Sequence, residues 1–185
     1  MNSALLGAAF DLSFCIEHVA ISVKRVPIDV PVQTSFGIMQ DRPAVFVLAR
    51  DVHGNEGLGE VWCNFPTCGA EHRAILLKTT ILPALLNKKF SDPQTCFAAM
   101  EKHFEKLVVQ TGEFGPIAQC LSGLDIAIWD LVARRAGVPL YHLLGGTSPQ
   151  IDVYTSGINP TGALENVRRM KEAGHTAFKL KIGFG

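Results

Sequence analysis

Near its carboxyl end the 185-residue chain reads Thr176-Ala177-Phe178-Lys179-Leu180-Lys181-Ile182-Gly183. Apolar residues alternate with other residues here, after a helical segment that ends at a glycine, and this alternation predicts a β-strand. Side chains two positions apart in a strand share a face, so Lys179 and Lys181 lie on one face together with Ala177. The apolar residues between them lie on the other face, where a covering helix can pack.

The spacing of the two lysines predicts acid–base chemistry if the strand belongs to a parallel barrel. The two ammonium groups then lie roughly 6–7 Å apart at the mouth of the barrel. Each ammonium disfavours the charged form of the other, so one lysine can lose its proton near neutral pH and act as a general base. The lysine that stays charged can hold a carboxylate or a developing enolate oxygen. The alternative is a solvated edge strand, where lysines are common because they oppose aggregation.

The segments before the lysine strand complete a βαβ unit. The sequence pattern predicts a short strand over residues 151–156, a loop over residues 157–160 and a helix over residues 161–173 that ends at Gly174. Strand, helix and strand within about thirty residues are parallel and right-handed by strong preference.

Upstream, predicted strands precede predicted helices, and this order indicates an α+β domain. The strands form an antiparallel meander with a tight turn at His53-Gly54-Asn55, and they cover residues 16–26, 44–51 and 56–63. Pro27 and Pro31 predict the end of the first strand, and residues 31–43 predict a loop. A loop of this length is either a mobile surface connection or an active-site lid. The helices cover residues 70–86, 93–109 and 117–135.

The third of these helices has the strongest pattern. Its apolar residues recur at helical spacing and predict one core face: Ile117, Leu121, Leu124, Ile128, Leu131 and Val132. Asp125 and Asp130 lie beside Trp129 in mid-helix, and we interpret these carboxylates as paired structural groups rather than catalytic ones.

Composition excludes several classes of partner. Seventeen basic and seventeen acidic residues balance, so nothing favours nucleic acid or an anionic membrane surface, and no apolar run is long enough to span a bilayer. The five cysteines are odd in number and scattered, which favours reduced thiols in a cytoplasmic protein. Residues 1–15 lack the basic start of a signal peptide and are predicted to be a disordered leader.

At this point several motifs resemble the mandelate racemase/muconate lactonizing enzyme family of the enolase superfamily. The motifs occur in the family's order and spacing: Gly57-Leu58-Gly59-Glu60, Leu121-Ser122-Gly123-Leu124-Asp125-Ile126-Ala127-Ile128-Trp129-Asp130-Leu131, Gly137-Val138-Pro139-Leu140-Tyr141, Leu143-Leu144-Gly145-Gly146 and Lys179-Leu180-Lys181. The resemblance implies an α+β capping domain followed by the start of a (β/α)7β-type TIM barrel. Its expected divisions are a leader (1–15), the capping domain (16–115), a helix that links cap and barrel (116–146) and the first βαβ unit of the barrel (147–185).

The resemblance also implies roles for individual residues. Lys181 corresponds to the acid/base that moves a proton α to a carboxylate, and Lys179 to its partner, which contacts the substrate carboxylate or the enolate oxygen. Ser156 resembles a substrate-facing position. The loop of residues 32–41 resembles the lid of the cap, with Thr34, Ser35 and Phe36 as substrate-binding residues, and residues 62–67 resemble a second specificity loop.

The match stops short of the family's metal site. The family's Mg²⁺ ligands are carboxylates on later barrel strands, so Mg²⁺ is implied as cofactor while no metal ligand is assigned in this chain. We expect the front portion of an enzyme that acts on a small carboxylate-bearing substrate: a racemase or epimerase, a cycloisomerase or an acid-sugar dehydratase, homo-oligomeric at full length. These 185 residues alone are expected to be inactive. The alternative is a non-catalytic remnant that acts as an oligomerisation or interaction domain, and an unrelated α+β binding protein is a distant third.

Overall fold

The computed structural model of the chain describes residues 10–34, 37–158 and 161–182. These residues divide into two compact units, one that runs to Gly146 and one that begins at Thr147. We call the first unit the cap and the second the βαβ unit.

The cap contains a four-stranded antiparallel sheet in the order β3-β2-β1-β4. The strands are β1 (Phe14–Thr34), β2 (Gly37–Asp51), β3 (Glu56–Val61) and β4 (Lys89–Phe90). The predicted three-stranded meander is thereby confirmed. The sequence did not predict β4, because two residues carry no readable alternation.

The prediction of a leader over residues 1–15 is wrong at its carboxyl end. Leu12 and Phe14 are buried in the cap core, and β1 begins at Phe14. The Phe14 ring stacks on Phe90 of β4 with 5.7 Å between centroids, so an aromatic contact with a distant strand brings this end of the segment into the fold. Residues 1–9 lie outside the described residues.

The predicted loop at residues 31–43 is wrong, because β1 and β2 continue through most of it as a hairpin. The two strands pair on both sides of a register shift between Pro27 and Val32. We expected Pro27 and Pro31 to end the strand because proline donates no ladder hydrogen bond. They lie instead at the shift, where the ladder is already interrupted. We call the described residues beyond the shift, 32–34 and 37–39, the arm.

The turn between β2 and β3 is built on a buried carboxylate. Asp51 accepts hydrogen bonds from the backbone nitrogens of His53 and Asn55, each 2.9 Å long, and from the Asn55 side chain. Burial alone would raise the pKa of Asp51, but these hydrogen bonds lower the pKa below its ordinary value. The predicted tight turn is confirmed.

Helices pack against the sheet. Their bounds are Gly69–Leu76 for α1, which continues through a π-helical turn at Leu77–Ile81 into α2 (Leu82–Leu85), then Pro93–Thr111 for α3, Phe114–Ala136 for α4 and Leu140–Leu143 for α5. Asp92 caps α3 by accepting a hydrogen bond from Thr95 N at 2.8 Å, and Pro93 is the first helical residue, as the sequence predicts.

Helix α4 lies directly against β3. A Cβ on Gly57 would overlap backbone atoms of Ala127 and Leu131, and a Cβ on Gly59 would overlap the carbonyl oxygen of Gly123. All six residues of the predicted core face are buried. The helix is long and apolar enough to cross a membrane by length and composition, but more than half of that stretch is buried in the protein. What we expected to be a linking helix is therefore part of the cap core.

The second unit has the predicted βαβ order. It consists of β5 (Thr155–Ile158), α6 (Ala163–Glu172) and β6 (Phe178–Leu180), and the two strands are parallel. Both strands are shorter than predicted: β5 begins at Thr155 rather than at residue 151, and Lys181 follows β6 instead of lying within it. Residues 183–185 lie outside the described residues.

Candidate active site

The carboxyl ends of two parallel strands meet at the candidate site. Thr155 of β5 lies opposite Phe178 of β6, and Lys181 N donates a 2.9 Å hydrogen bond to Ile158 O. The register pairs Thr155 with Phe178 and Ile158 with Leu180, so β5 has one extra residue between these two pairs. Gly157 lies in this stretch with φ at 83°, a left-handed conformation that glycine adopts without strain. Barrel enzymes place their reacting groups at this end of parallel strands.

Ser156 follows Thr155, which lies opposite Phe178, and Lys179 follows Phe178 on the other strand. The register shifts directly after Thr155, so Ser156 and Gly157 together face Lys179. Ser156 and Lys179 are exposed, and Lys181 is partly buried. The structure thus brings Ser156 and the two lysines to one edge of the βαβ unit. Their chemical roles stay predictions.

Tyr154 belongs to the same face, and the sequence analysis missed it. The Nζ atom of Lys179 lies 5.7 Å from the centroid of the Tyr154 ring, within the range of a cation–π interaction. Strand alternation was the available signal, because Tyr154 precedes Ser156 by two positions. Its ring stabilises a cation at the position of the Lys179 ammonium.

Neither lysine of this face forms an ion pair with a carboxylate of the βαβ unit within its described residues, 147–158 and 161–182. Their ammonium groups are therefore not neutralised by an internal partner in that part of the chain. Two such groups beside a hydroxyl and an aromatic ring can bind a carboxylate through charge-assisted hydrogen bonds. A neutral lysine in the same place can accept a proton from the bound molecule.

The predicted substrate-binding residues of the cap are only partly described. Thr34 ends β1 opposite Gly37, whereas Ser35 and Phe36 lie outside the described residues. The second predicted loop follows β3 and presents Trp62, which is 50% exposed and has its ring 6.4 Å from that of Phe65. The assignment of these segments to a substrate site stays a prediction.

The described part of the chain has no group of three or more His, Cys, Asp or Glu side chains able to hold a metal ion. All five cysteines are free thiols. Burial raises the pKa of the Cys96 and Cys120 thiols to about 12, so these two side chains are chemically inert.

The two mid-helix carboxylates of α4 have different surroundings. Asp130 accepts hydrogen bonds from Leu58 N at 2.8 Å and from Arg134 Nε at 2.7 Å, which confirms its interpretation as a paired structural group. Burial raises the pKa of Asp125 to about 6, against the opposing effect of a hydrogen bond from Trp129. Both lie in the cap and not on the lysine face.

Comparison with known proteins identifies the family. A family profile described as the mandelate racemase / muconate lactonizing enzyme N-terminal domain matches residues 16–145. A crystal structure of a mandelate racemase/muconate lactonizing enzyme from Bordetella bronchiseptica RB50 has a TM-score of 0.84 and 48% identity, covering 94% of this chain and 45% of that one.

Two further relatives are named enzymes. The o-succinylbenzoate synthase of Geobacillus kaustophilus is 30% identical over 176 residues, which are 90% of this chain and 44% of that protein. A racemase from Streptomyces coelicolor A3(2), solved with bound magnesium, is 28% identical with a TM-score of 0.76, covering 91% of this chain and 47% of that one. The chain thus spans less than half the length of these relatives.

The profile match covers the cap, and the structural matches extend over more than nine-tenths of the chain. The packing of α4 on the glycines of β3 and the parallel βαβ unit with its lysine strand together reproduce the architecture expected from the sequence motifs. This chain belongs to the mandelate racemase/muconate lactonizing enzyme family, of which it carries the N-terminal domain.

Proposed function

We propose that the chain is the front portion of an enzyme that removes a proton α to the carboxylate of a small substrate. The observation that carries this proposal is the lysine face: Lys179 and Lys181 at the carboxyl end of a parallel strand pair, with Ser156 beside them. Relatives bear the names of a synthase, a racemase, a cycloisomerase and dehydratases, which supports the reaction class without selecting one reaction.

The different surroundings of the two lysines favour a different role for each. Lys181 is the more buried of the two, and in its neutral form it takes the α-proton onto Nζ. Lys179 lies beside the Tyr154 ring, and its ammonium group binds the substrate carboxylate. Ser156 donates a further hydrogen bond to that carboxylate.

Magnesium enters the proposal only through the relatives, some of which were solved with the bound ion. The described residues do not fit a magnesium site, since they offer no cluster of ligands. More than half of the length of these relatives lies outside the region that this chain matches. We propose that a corresponding region supplies the ligands of the magnesium site. The 185-residue chain alone is accordingly expected to be inactive.

Cytoplasmic location and a homo-oligomeric full-length protein are part of the same proposal. A non-catalytic oligomerisation or interaction domain is the second candidate. The observation that favours it is an exposed apolar pair on the outer face of the sheet, where Leu48 lies opposite Leu58 and the two side chains are 36% and 47% exposed.

The test is solvent-deuterium exchange at the α-carbon of candidate carboxylates, followed by proton NMR in the full-length protein with Mg²⁺. N-succinylamino acids and galactarate are the first probes, because relatives are named for them. Lys181→Ala is expected to lower the exchange rate by about 10²–10⁴-fold.

Lys171→Ala is the matched control, since Lys171 is an exposed lysine on α6 away from the strand ends, and it is expected to leave the rate unchanged. Wild-type exchange that survives Lys181→Ala would contradict the proposed base. Absence of exchange in the wild-type protein with every probe would favour the interaction-domain candidate.

A further inference from the structure

The arm joins the sheet through an interrupted ladder. Pro27 lies opposite Asp41, and the next pair beyond the shift is Val32 opposite Met39. Four residues of β1 therefore face one residue of β2, and two of the residues at this shift are prolines, which donate no ladder hydrogen bond. Backbone pairing alone leaves the base of the arm weakly tied to the rest of the cap.

Arg25 joins three elements at this position. Its Nε and Nη2 atoms donate to both carboxylate oxygens of Glu71 on α1, at 3.0 and 2.8 Å. Its Nη1 donates to the carboxylate of Asp41 at 3.2 and 3.3 Å, and its Nη2 donates to the carbonyl oxygen of Thr67 at 2.6 Å. One guanidinium thus binds β2 at Asp41, just before the register shift that leads into the arm, together with the loop after β3 and the first turn of α1.

This cluster differs from an ordinary surface ion pair. The Arg25 side chain is 29% exposed, so water competes only in part for its donors. A planar guanidinium that binds one carboxylate in bidentate fashion and a second one at the same time holds its partners in a fixed mutual geometry. The hydrogen bond from Arg25 lowers the pKa of Glu71, so the pair is fully ionised at neutral pH.

We propose that Arg25 is a positioning residue that fixes the end of the sheet from which the arm extends to the loop of residues 62–68. Both segments are the predicted substrate-facing parts of the cap, so this inference rests on the proposed function. Arg25 binds Asp41 on β2 and Thr67 in the loop, and it acts by fixing the bases of the two segments relative to each other. Sequence patterns do not reveal it, because its partners lie 16, 42 and 46 residues away.

The experiment is amide hydrogen–deuterium exchange on the 185-residue chain, read by mass spectrometry. Arg25→Gln is expected to raise exchange at least 10-fold in peptides that cover residues 37–43 and 64–71, with β3 (Glu56–Val61) unchanged as internal reference. Arg25→Lys is expected to give a smaller increase, because one ammonium cannot bind both carboxylates as the guanidinium does.

Two further variants separate the two halves of the contact. Asp41→Asn is expected to raise exchange at residues 37–43 alone, and Glu71→Gln at residues 64–71 alone. Arg50→Gln is the matched control: Arg50 lies on β2 and pairs with Glu17 at 3.3 Å at the other end of the same two strands. It is expected to change exchange in neither segment.

Unchanged exchange in Arg25→Gln would overturn the proposal, and so would an equal rise in β3, which would indicate general destabilisation. In the full-length enzyme Arg25→Gln is expected to raise KM at least 5-fold and to change kcat less. A loosened arm with an unchanged KM would overturn the link to substrate binding. Failure of the wild-type enzyme to exchange any α-proton would count against the proposed function and leave the exchange test of Arg25 intact.

Discussion

In the cap, apolar side chains are enclosed between the sheet and its helices, whereas in the βαβ unit most of them face solvent. Ile16, Val47 and Leu131 of the cap are fully buried. In the βαβ unit Leu164 of α6 is 65% exposed, and no described residue of that helix is buried. Apolar residues at similar spacing are therefore buried in the cap and mostly exposed in the βαβ unit.

The difference teaches that a periodic pattern predicts an element but not the neighbours that cover it. Helix α4 packs on β3 because glycines on both elements remove the Cβ atoms that would separate them. The βαβ unit offers its apolar side chains to neighbours that a barrel supplies from adjacent strands and helices. Within the described residues only Ile158 of this unit is buried.

The largest expected effect comes from breaking the close packing of the cap. Gly59→Ala places a Cβ 2.8 Å from Ala127 N and in overlap with the Gly123 carbonyl, and helix backbone cannot move aside cheaply. We expect a loss of about 4 kcal/mol or more in the free energy of unfolding, measured by urea denaturation.

Gly115→Ala is the control on the same helix, because its Cβ would meet nothing nearer than Gln119 Nε2 at 3.8 Å. It is expected to stay within about 1 kcal/mol of wild type, on the stabilising side. Equal losses in the two variants would show that the α4–β3 contact is not the tight part of the cap.

Features that depend on periodicity within one segment were predicted from the sequence, whereas features that depend on neighbours distant in sequence were not. The α4 core face and the strand meander were predictable, because each depends on periodicity within one segment. The arm was not, since Pro27 and Pro31 are ordinarily strand breakers and only a register shift accommodates them. The hydrogen-bonded cluster around Arg25 was not predictable either, because its members are distant in sequence.

At the candidate site, alternation placed Lys179 and Lys181 on one face from the sequence alone. The position of Ser156 in the bulge that faces Lys179 required the pairing register, which the structure supplies. Tyr154 could have been found by the same alternation, but an aromatic residue in a short strand is usually taken as core. Its 56% exposure is the observation that separates it from core residues.

A smaller effect comes from comparing one leucine in each unit. Leu131→Ala removes a fully buried side chain of the cap, and we expect a loss of about 3 kcal/mol in the free energy of unfolding. Leu164→Ala removes a side chain of the same size from α6, and we expect a change of no more than about 0.5 kcal/mol. Urea denaturation followed by circular dichroism gives both values. A loss above about 1 kcal/mol in Leu164→Ala would mean that α6 is covered in solution.

The smallest expected effect on the free energy of unfolding comes from removing the charge of Asp125. It sharpens the comparison of the two units because only the cap has a core that can bury a charged group. Asp125 lies in a groove whose apolar residues include Phe97, Met100 and Leu124, and burial raises its pKa to about 6 against the hydrogen bond from Trp129. The lysines of the βαβ unit are exposed or only partly buried. Asp125→Asn keeps an oxygen for the Trp129 donor and removes the charge.

The sign of the effect depends on pH. A folded pKa above the ordinary value of 3.8 means that the folded protein holds this proton more tightly, so the contribution of Asp125 to stability falls as pH rises from about 4 through about 6. The full difference corresponds to about 3 kcal/mol, and remaining contact with water reduces the expected gain of Asp125→Asn at pH 7.5 to about 1 kcal/mol. The gain should vanish below about pH 3, where the carboxyl is neutral in both the folded and the unfolded state. Carboxylates with lowered pKa values, such as Asp51, are common to both proteins and cancel in the difference.

Asp130→Asn is the control on the same helix, and because it weakens the hydrogen bonds from Leu58 N and Arg134 it should destabilise the protein at pH 7.5. A pH-independent gain in Asp125→Asn would contradict a buried charge as its cause, because only ionisation makes the carboxylate and the amide differ with pH.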